Sequence, residues 1–275
     1  MTQDSAQVLQ VVTRTDPGMV RSHNEDAVFG DAVRGLVILA DGMGGYNAGE
    51  VASGMATTVL SSELRKAFTE KPPHKLEANG QLRSHAVLEA EIARANSTIY
   101  QASQSQPQYA GMGTTLVVAL FYDNQVTVAH IGDSRLYRLR GEEFRLMTRD
   151  HSLLQEQIDS GMISVEEARL SHNKNLVTRA LGVEAQVEPE IRDYDVAAGD
   201  IYLLCSDGLN DMVSDDDIAL TLMSLTANLE LAGDQLIQMA NDNGGRDNVS
   251  VILVRVLREY PAPRSWWARF LAWLK

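Results

Sequence analysis

The sequence predicts an α+β domain built on antiparallel sheet, and three observations carry that prediction. Seven short runs rich in Val, Ile and Leu read as strands, and four blocks with apolar residues at helical spacing read as helices. Two of the strands, Thr114–Tyr122 and Gln125–Ile131, are separated only by "DN", a tight hairpin signal. That pair is therefore antiparallel, which counts against a doubly wound parallel sheet. With 275 residues, 44% of them apolar, the chain can fill one large core or two small ones.

The first strand is Val8–Thr13 and the second Leu36–Ala40. A helix follows from Ala48 to about Phe68, with Val51, Met55, Val59 and Leu64 at helical spacing. The breaker segment "EKPPHKLEANG" separates it from a second helix, about Leu82 to Gln101. After the hairpin comes a strand at Arg135–Leu139, then a polar stretch from Asp150 to Gly182 that reads as short helices and, over about 152–175, as a flap. Asp200–Cys205 and Val249–Val256 are the last strands. Between them lie two helices: one opened by Ser214 as N-cap with three aspartates against the positive end of the dipole, the other from Leu229 to about Met239. No repeat or low-complexity segment interrupts the chain. Residues 1–259 read as one domain and 260–275 as a separate tail.

The formal charge of −13 excludes a nucleic-acid binder, which needs a basic surface for phosphates, and favours an acidic enzyme that takes up metal. The single cysteine, Cys205, sits in an apolar run and reads as a core residue; one cysteine forms no internal disulfide, as expected of a reducing compartment. "MTQDSAQVLQ" lacks the basic start and apolar run of a signal peptide, so the expected location is the cytoplasm.

The chemistry is concentrated where strands end. "ILADGMGG", "VAHIGDSR" and "YLLCSDGL" each run an apolar strand into an aspartate followed by a small residue, giving Asp41, Asp133 and Asp207; in "GGRDNVSVILVRV" Asp247 precedes its strand instead. Each "DG" taken alone reads as a turn. Together, four carboxylates gathered at one rim of a sheet repel one another unless divalent cations neutralise them, and oxygen-only ligands point to Mg²⁺ or Mn²⁺ rather than zinc. The glycines of "DGMGG" keep the backbone close enough for the Gly42 carbonyl to ligate an ion. The six histidines show no paired metal-ligand spacing. Upstream, "RSHNEDAVF" adds Arg21, Glu25 and Asp26; an arginine beside carboxylates forms either a structural ion pair or a grip for a phosphate dianion.

Seven ordered motifs, "TDPGMVRSHNEDAVF", "VILADGMGG", "GMGTTLVVALF", "AHIGDSRLYRLR", "TRDHSL", "LLCSDGL" and "GGRDNVSVILV", together resemble the bacterial metal-dependent protein serine/threonine phosphatases of the type 2C, or PPM, family. The resemblance implies a β-sandwich of two antiparallel sheets flanked by helices on both outer faces, with a dinuclear Mn²⁺/Mg²⁺ centre at one end. It implies that Asp41 bridges the metals, that the Gly42 carbonyl binds one, and that Asp207 and Asp247 complete the other. Asp133 matches an aspartate used with Asp207 for a weaker third metal, Glu25 and Asp26 match acids reached partly through metal-bound water, and Arg21 matches the phosphate-gripping arginine. Two cations about 4 Å apart then lower the pKa of a bridging water, and the hydroxide attacks phosphorus in line. Met43 stands where many eukaryotic members have a histidine proposed as general acid, and a methionine donates no proton.

The resemblance further implies phosphoprotein substrates and opposition to a Hanks-type kinase. A phosphatase of small phosphoesters and a catalytically silent phosphoprotein-binding module are the alternatives; the intact set Asp41, Asp207 and Asp247 weighs against the second. The tail, "PAPRSWWARFLAWLK", lies outside the motifs and holds all three tryptophans, with Trp267, Phe270, Leu271 and Leu274 at helical spacing and Arg264, Arg269 and Lys275 as cations. It reads as a peripheral membrane contact, a partner-docking segment or a segment folded back on the domain, and is too short to span a bilayer.

Overall fold

The computed structural model describes residues 8–45, 48–164, 167 and 176–261. Residues 262–275, and with them most of the tail, lie outside the described residues, as does most of the flap beyond Ser164. No helix among the described residues is long and apolar enough to cross a membrane.

In chain order the elements are β1 (Leu9–Asp16), β2 (Asp26–Asp31), β3 (Leu36–Met43), α1 (Ala48–Glu70), α2 (Arg83–Ser105), β4 (Gly113–Thr114), β5 (Leu116–Tyr122), β6 (Gln125–Ile131), β7 (Arg135–Arg140), β8 (Glu143–Leu146), α3 (Leu153–Asp159), β9 (Glu190–Asp195), β10 (Ile201–Cys205), α4 (Asp207–Asn210), α5 (Asp215–Ser224), α6 (Leu229–Asp242) and β11 (Val249–Val256). One sheet has the order β1-β11-β10-β7-β8; the other has β2-β3-β5-β6-β9, with β4 beside β3. Neighbouring strands pair antiparallel throughout. The "DN" hairpin closes as expected: Tyr122 pairs with Gln125, and Asp123 and Asn124 have φ of 49° and 56°, the left-handed pair of a type I′ turn.

Period-two alternation builds the layers. Val37 and Leu39 of β3 face inward with Val117, Leu204, Ile252 and Val254, so the two sheets share one core. Leu36, Ile38 and Ala40 face the other way, against Leu60, Leu64, Leu88 and Ile92 of α1 and α2. Val249, Val251 and Leu253 pack instead against Ile218, Leu222 and Leu236 of α5 and α6. The result is a helix-sheet-sheet-helix stack in which each fully buried Leu or Ile contributes roughly 2 kcal/mol. Ser214 caps α5 by accepting from the Asp217 amide. Tyr260, assigned to the tail on sequence, is buried in the inter-sheet core, and its amide donates to Asn124 Oδ1 at 2.5 Å.

Candidate metal centre and catalytic rim

Antiparallel register brings the predicted acids to one end of the sandwich. Asp26 opens β2 and sits directly opposite Asp41 on β3. Asp133 follows β6 by two residues, Asp207 follows β10 by two, and Asp247 precedes β11 by two. The two sheets are stitched together at this rim. Ser206 Oγ donates to Asp26 Oδ2 at 2.8 Å, Asn248 Oδ1 accepts from the Glu25 amide at 2.8 Å, and Arg21 Nη2 donates to Asp247 Oδ2 at 2.7 Å.

Residues with no charge of their own fix these acids, and nothing in the linear sequence singles them out. Thr115 Oγ1 accepts from the Asp41 amide at 3.1 Å and meets Ser134 Oγ at 2.7 Å, while the Thr115 amide donates to the Asp41 carbonyl at 2.8 Å. Asp41 and the Asp133 turn are therefore tied through a single threonine. Asn248 also donates to the carbonyls of Pro17 and His23, latching the Arg21 loop to the start of β11. The available signals were "GTT" ahead of a strand and the Asn after Asp247.

Gly42 has a second reason to be glycine. A Cβ there would lie 2.1 Å from the Gly49 carbonyl oxygen and 2.6 Å from that of Glu25. Close approach of β3, the start of α1 and the Glu25 segment thus requires a bare backbone at the point where an ion would sit.

The electrostatics are those of a site assembled for cations. Burial, followed by the neighbouring carboxylates Asp26, Asp207, Asp133 and Asp247, holds the Asp41 carboxyl well above its ordinary range. Asp207 is raised for the same reasons, burial first and then Asp133, Asp211 and Asp247. Burial pushes Asp26 up to about 6, and Asp133 likewise to about 6. Glu25 is also raised, chiefly by desolvation. Asp26 Oδ1 is enclosed without a hydrogen-bond donor. An orphaned carboxylate oxygen among mutually repelling carboxylates, with only oxygen donors around it, fits hard divalent cations such as Mn²⁺ or Mg²⁺.

A second group gathers nearby: donor atoms of His130, His151 and Glu190 lie within 4.8 Å of one another. Sequence spacing gave no hint of it. Its chemistry does not match an ion site. The Gly132 amide donates to His151 Nδ1 at 3.2 Å, so in the neutral ring the proton is on Nε2. Nε2 faces Glu190 at 3.8 Å and has a hydrogen, not a lone pair, to offer. His151 is 1% exposed, and burial lowers its pKa to about 4, keeping it neutral near pH 7. Its amide also donates to the Gly132 carbonyl at 2.9 Å. The ring thus clasps the residue before Asp133, at a glycine with φ +101°.

Five aspartates converge on one rim, and the one cysteine is fully buried, with its thiol pushed above its ordinary range by burial. Such a rim defines a hydrolase that works through divalent cations rather than through a side-chain nucleophile. The family description "Protein phosphatase 2C" matches residues 20–250. The chain is 41% identical over 244 residues to the serine/threonine phosphatase Stp of Listeria monocytogenes, covering 88% of this chain and 93% of that one. It superposes with a TM-score of 0.81 on the serine/threonine phosphatase PstP/Ppp of Mycobacterium tuberculosis, at 38% identity over 91% of this chain and 100% of that one. The catalytic domain of PstP in complex with two manganese ions gives a TM-score of 0.78 at 39% identity, over 91% and 99% of the two chains. The chain belongs to the protein phosphatase 2C family, and is a serine/threonine protein phosphatase of the Mn²⁺/Mg²⁺-dependent kind. The two-sheet sandwich and the cofactor expected from sequence are both borne out.

Proposed function

We propose that phosphoserine and phosphothreonine are hydrolysed at this rim, with Asp41, the Gly42 carbonyl, Asp207 and Asp247 holding two divalent cations. In this reading Asp133 serves with Asp207 a weaker third site, and Glu25 and Asp26 act at one remove, through solvent. The observation that carries it is the convergence of Asp26, Asp41, Asp133, Asp207 and Asp247, with the other four all raising the pKa of Asp41. When bound, the ions neutralise the rim and supply an activated water for in-line attack on phosphorus.

The chain's own residues do the positioning. Arg21 is half exposed and anchored to Asp247, so its guanidinium stands at the mouth of the rim, where it meets the non-bridging oxygens of a phosphate dianion and the charge that builds on them. Asn248 holds the loop that carries it. Met43 offers no proton to the leaving serine or threonine oxygen, so that proton comes from solvent at the rim. The substrates are phosphoproteins, and a Hanks-type kinase opposing this phosphatase is the partner proposed by family analogy. The domain boundary is placed near residue 260, and the Trp-rich tail beyond it is read, on composition, as a peripheral membrane contact of a cytoplasmic protein.

The test is phosphate release from a phosphoserine or phosphothreonine peptide and from a phosphorylated kinase domain, with Mn²⁺ and with EDTA. Release requires Mn²⁺, and Arg21→Ala lowers kcat/KM about 100-fold through loss of a charge-assisted contact worth about 3 kcal/mol. Activity that survives EDTA, or none on either substrate with Mn²⁺, contradicts the reading.

A further inference from the structure

Beside the rim, between α3 on one wall and the α4–α5 segment on the other, lies a groove of about 640 Å³ that the hydrolytic reaction itself does not use. It is continuous with the candidate centre, because Asp133 and Asp207 line its inner end. Further along, its charge is one-sided. Asp150, Asp211, Asp215 and Asp216 line it, and Arg135 is the one cation among the lining residues. Arg135 is committed to Asp150, with Nη2 to Oδ2 at 2.7 Å and Nε to the two oxygens at 3.1 and 3.2 Å. The inner carboxylates, Asp133 and Asp207, belong to the proposed metal centre. Asp215 and Asp216, both exposed, set the sign of the outer groove. Tyr137 donates to Asp215 Oδ1 at 3.0 Å, which orients that carboxylate without neutralising it.

The rest of the lining mixes uncharged polar residues, Ser152, Gln155, Asn210 and Ser214, with aliphatic ones. Leu154 and Ile158 of α3 face the groove from one side, Met212 and Val213 from the other. Carboxylates beside an aliphatic wall suit one kind of side chain: a long apolar stem ending in a cation, which is Arg or Lys. A phosphate held at the rim by Arg21 and the metals leaves the substrate's flanking residues to run outward, and the groove is the cavity that opens from that point. The acids at the start of α5 also favour the helix dipole. That role is indifferent to which substrate is bound, so substrate preference separates the two.

We propose that this groove docks the stretch of phosphoprotein chain flanking the phosphorylated residue and selects for Arg or Lys there. The inference rests on the protein-phosphatase reading above and names its preferred substrate class, phosphoproteins with basic residues near the phosphosite.

The experiment compares phosphopeptides identical except for Arg or Glu, placed in turn at each of the four positions on either side of phosphoserine. Wild type, Asp216→Asn and Asp216→Lys are assayed with Mn²⁺, and each rate is normalised to the same variant's turnover of p-nitrophenyl phosphate. At low ionic strength the wild type favours the Arg peptide about 10-fold in kcat/KM at one or two positions on one side, mainly through KM. Screening at about 0.5 M salt shrinks the preference towards unity. Asp216→Asn lowers the preference about 2–3-fold and Asp216→Lys lowers it further. Equal hydrolysis of Arg and Glu peptides at every position overturns the proposal, as does a preference that Asp216→Lys leaves intact. If p-nitrophenyl phosphate is turned over and no peptide is, the protein-phosphatase reading itself fails and takes this one with it.

Discussion

Asp207→Asn lowers kcat/KM on a phosphoserine peptide by about 1000-fold or more and, in the absence of metal, makes the protein more stable. The first effect is the loss of a carboxylate from the proposed ligand set, and at about 1.4 kcal/mol per decade it amounts to about 4 kcal/mol of transition-state stabilisation. The second follows from the raised pKa of Asp207: without cations its ionised form is opposed by burial and by Asp133, Asp211 and Asp247, and a neutral amide of the same shape removes that repulsion. A merely structural aspartate gives the reverse, with activity and stability falling together.

A pH dependence follows from the same raised carboxyls. A carboxyl raised in the folded state contributes stability that is complete below its unfolded pKa, about 3.9, and is lost as pH rises through the folded value. For Asp26 and Asp133 that value is about 6. The metal-free wild type therefore loses stability between about pH 4 and pH 7 and stays at the lower level above it, on the order of 3 kcal/mol for each group. Thermal melts in EDTA and in Mn²⁺ across this range check it. The EDTA curve falls with pH, Mn²⁺ closes the gap at pH 7.5, and metal-free Asp207→Asn slopes less steeply than wild type. A flat EDTA curve contradicts the reading of the rim as a cluster of mutually repelling carboxylates.

Gly42→Ala carries the largest expected loss of stability. The new methyl would sit 2.1 Å from the carbonyl oxygen of Gly49 and 2.4 Å from its carbonyl carbon, so backbone rather than a yielding side chain has to move. About 3 kcal/mol or more is expected from such overpacking, a fall of about 10 °C in Tm for a domain of this size. Because the displaced segments carry Asp41 and Glu25, Mn²⁺ affinity falls as well. Gly54→Ala in α1 is the control: a Cβ there meets nothing within 4 Å, and replacing a helical glycine stabilises by about 0.5–1 kcal/mol. Equal melting temperatures for the two variants would refute the packing argument.

How much of this was legible in the sequence depended on where a residue lies in the sheets. The interior strands β3, β5, β6, β10 and β11 announce themselves because both faces are covered and their sequences are largely apolar runs, as in "LVVALFY", while β7, "RLYRLR", shows through its alternating apolar residues. Three of the four sheet edges, β2, β8 and β9, were missed. Their sequences, "DAVFGD", "EFRL" and "EIRDYD", carry the charges that a half-solvated edge tolerates and that protect it from pairing with another chain. These three edges and the loops that interrupt the interior runs are also what no periodicity rule recovers.

The site divides in a similar way. Asp41, Asp133 and Asp207 stand out because a carboxylate closing an apolar run is conspicuous, and Asp247 because it opens one. Asp26 was seen only as an acid near others, since its role depends on standing opposite Asp41, and cross-strand register is invisible without the pairing. Thr115, Ser134, Ser206 and Asn248 are ordinary polar residues in a linear reading. They become positioning residues once folding places a hydroxyl or amide against the backbone or carboxylate of one of these acids. His130 and His151 are 21 residues apart in sequence, and their meeting, too, is a product of topology.

The claim on which the rest depends is that the acidic rim, and not the histidine group, holds the metal. Anomalous diffraction at the manganese edge from crystals grown with Mn²⁺ addresses it directly. Two strong peaks are expected to flank Asp41, one of them within ligand distance of Asp207 and Asp247 and the other near the Gly42 carbonyl, with any third and weaker peak at Asp133. Peaks at His130, His151 and Glu190 with none at Asp41, or a single peak at the rim, would contradict it.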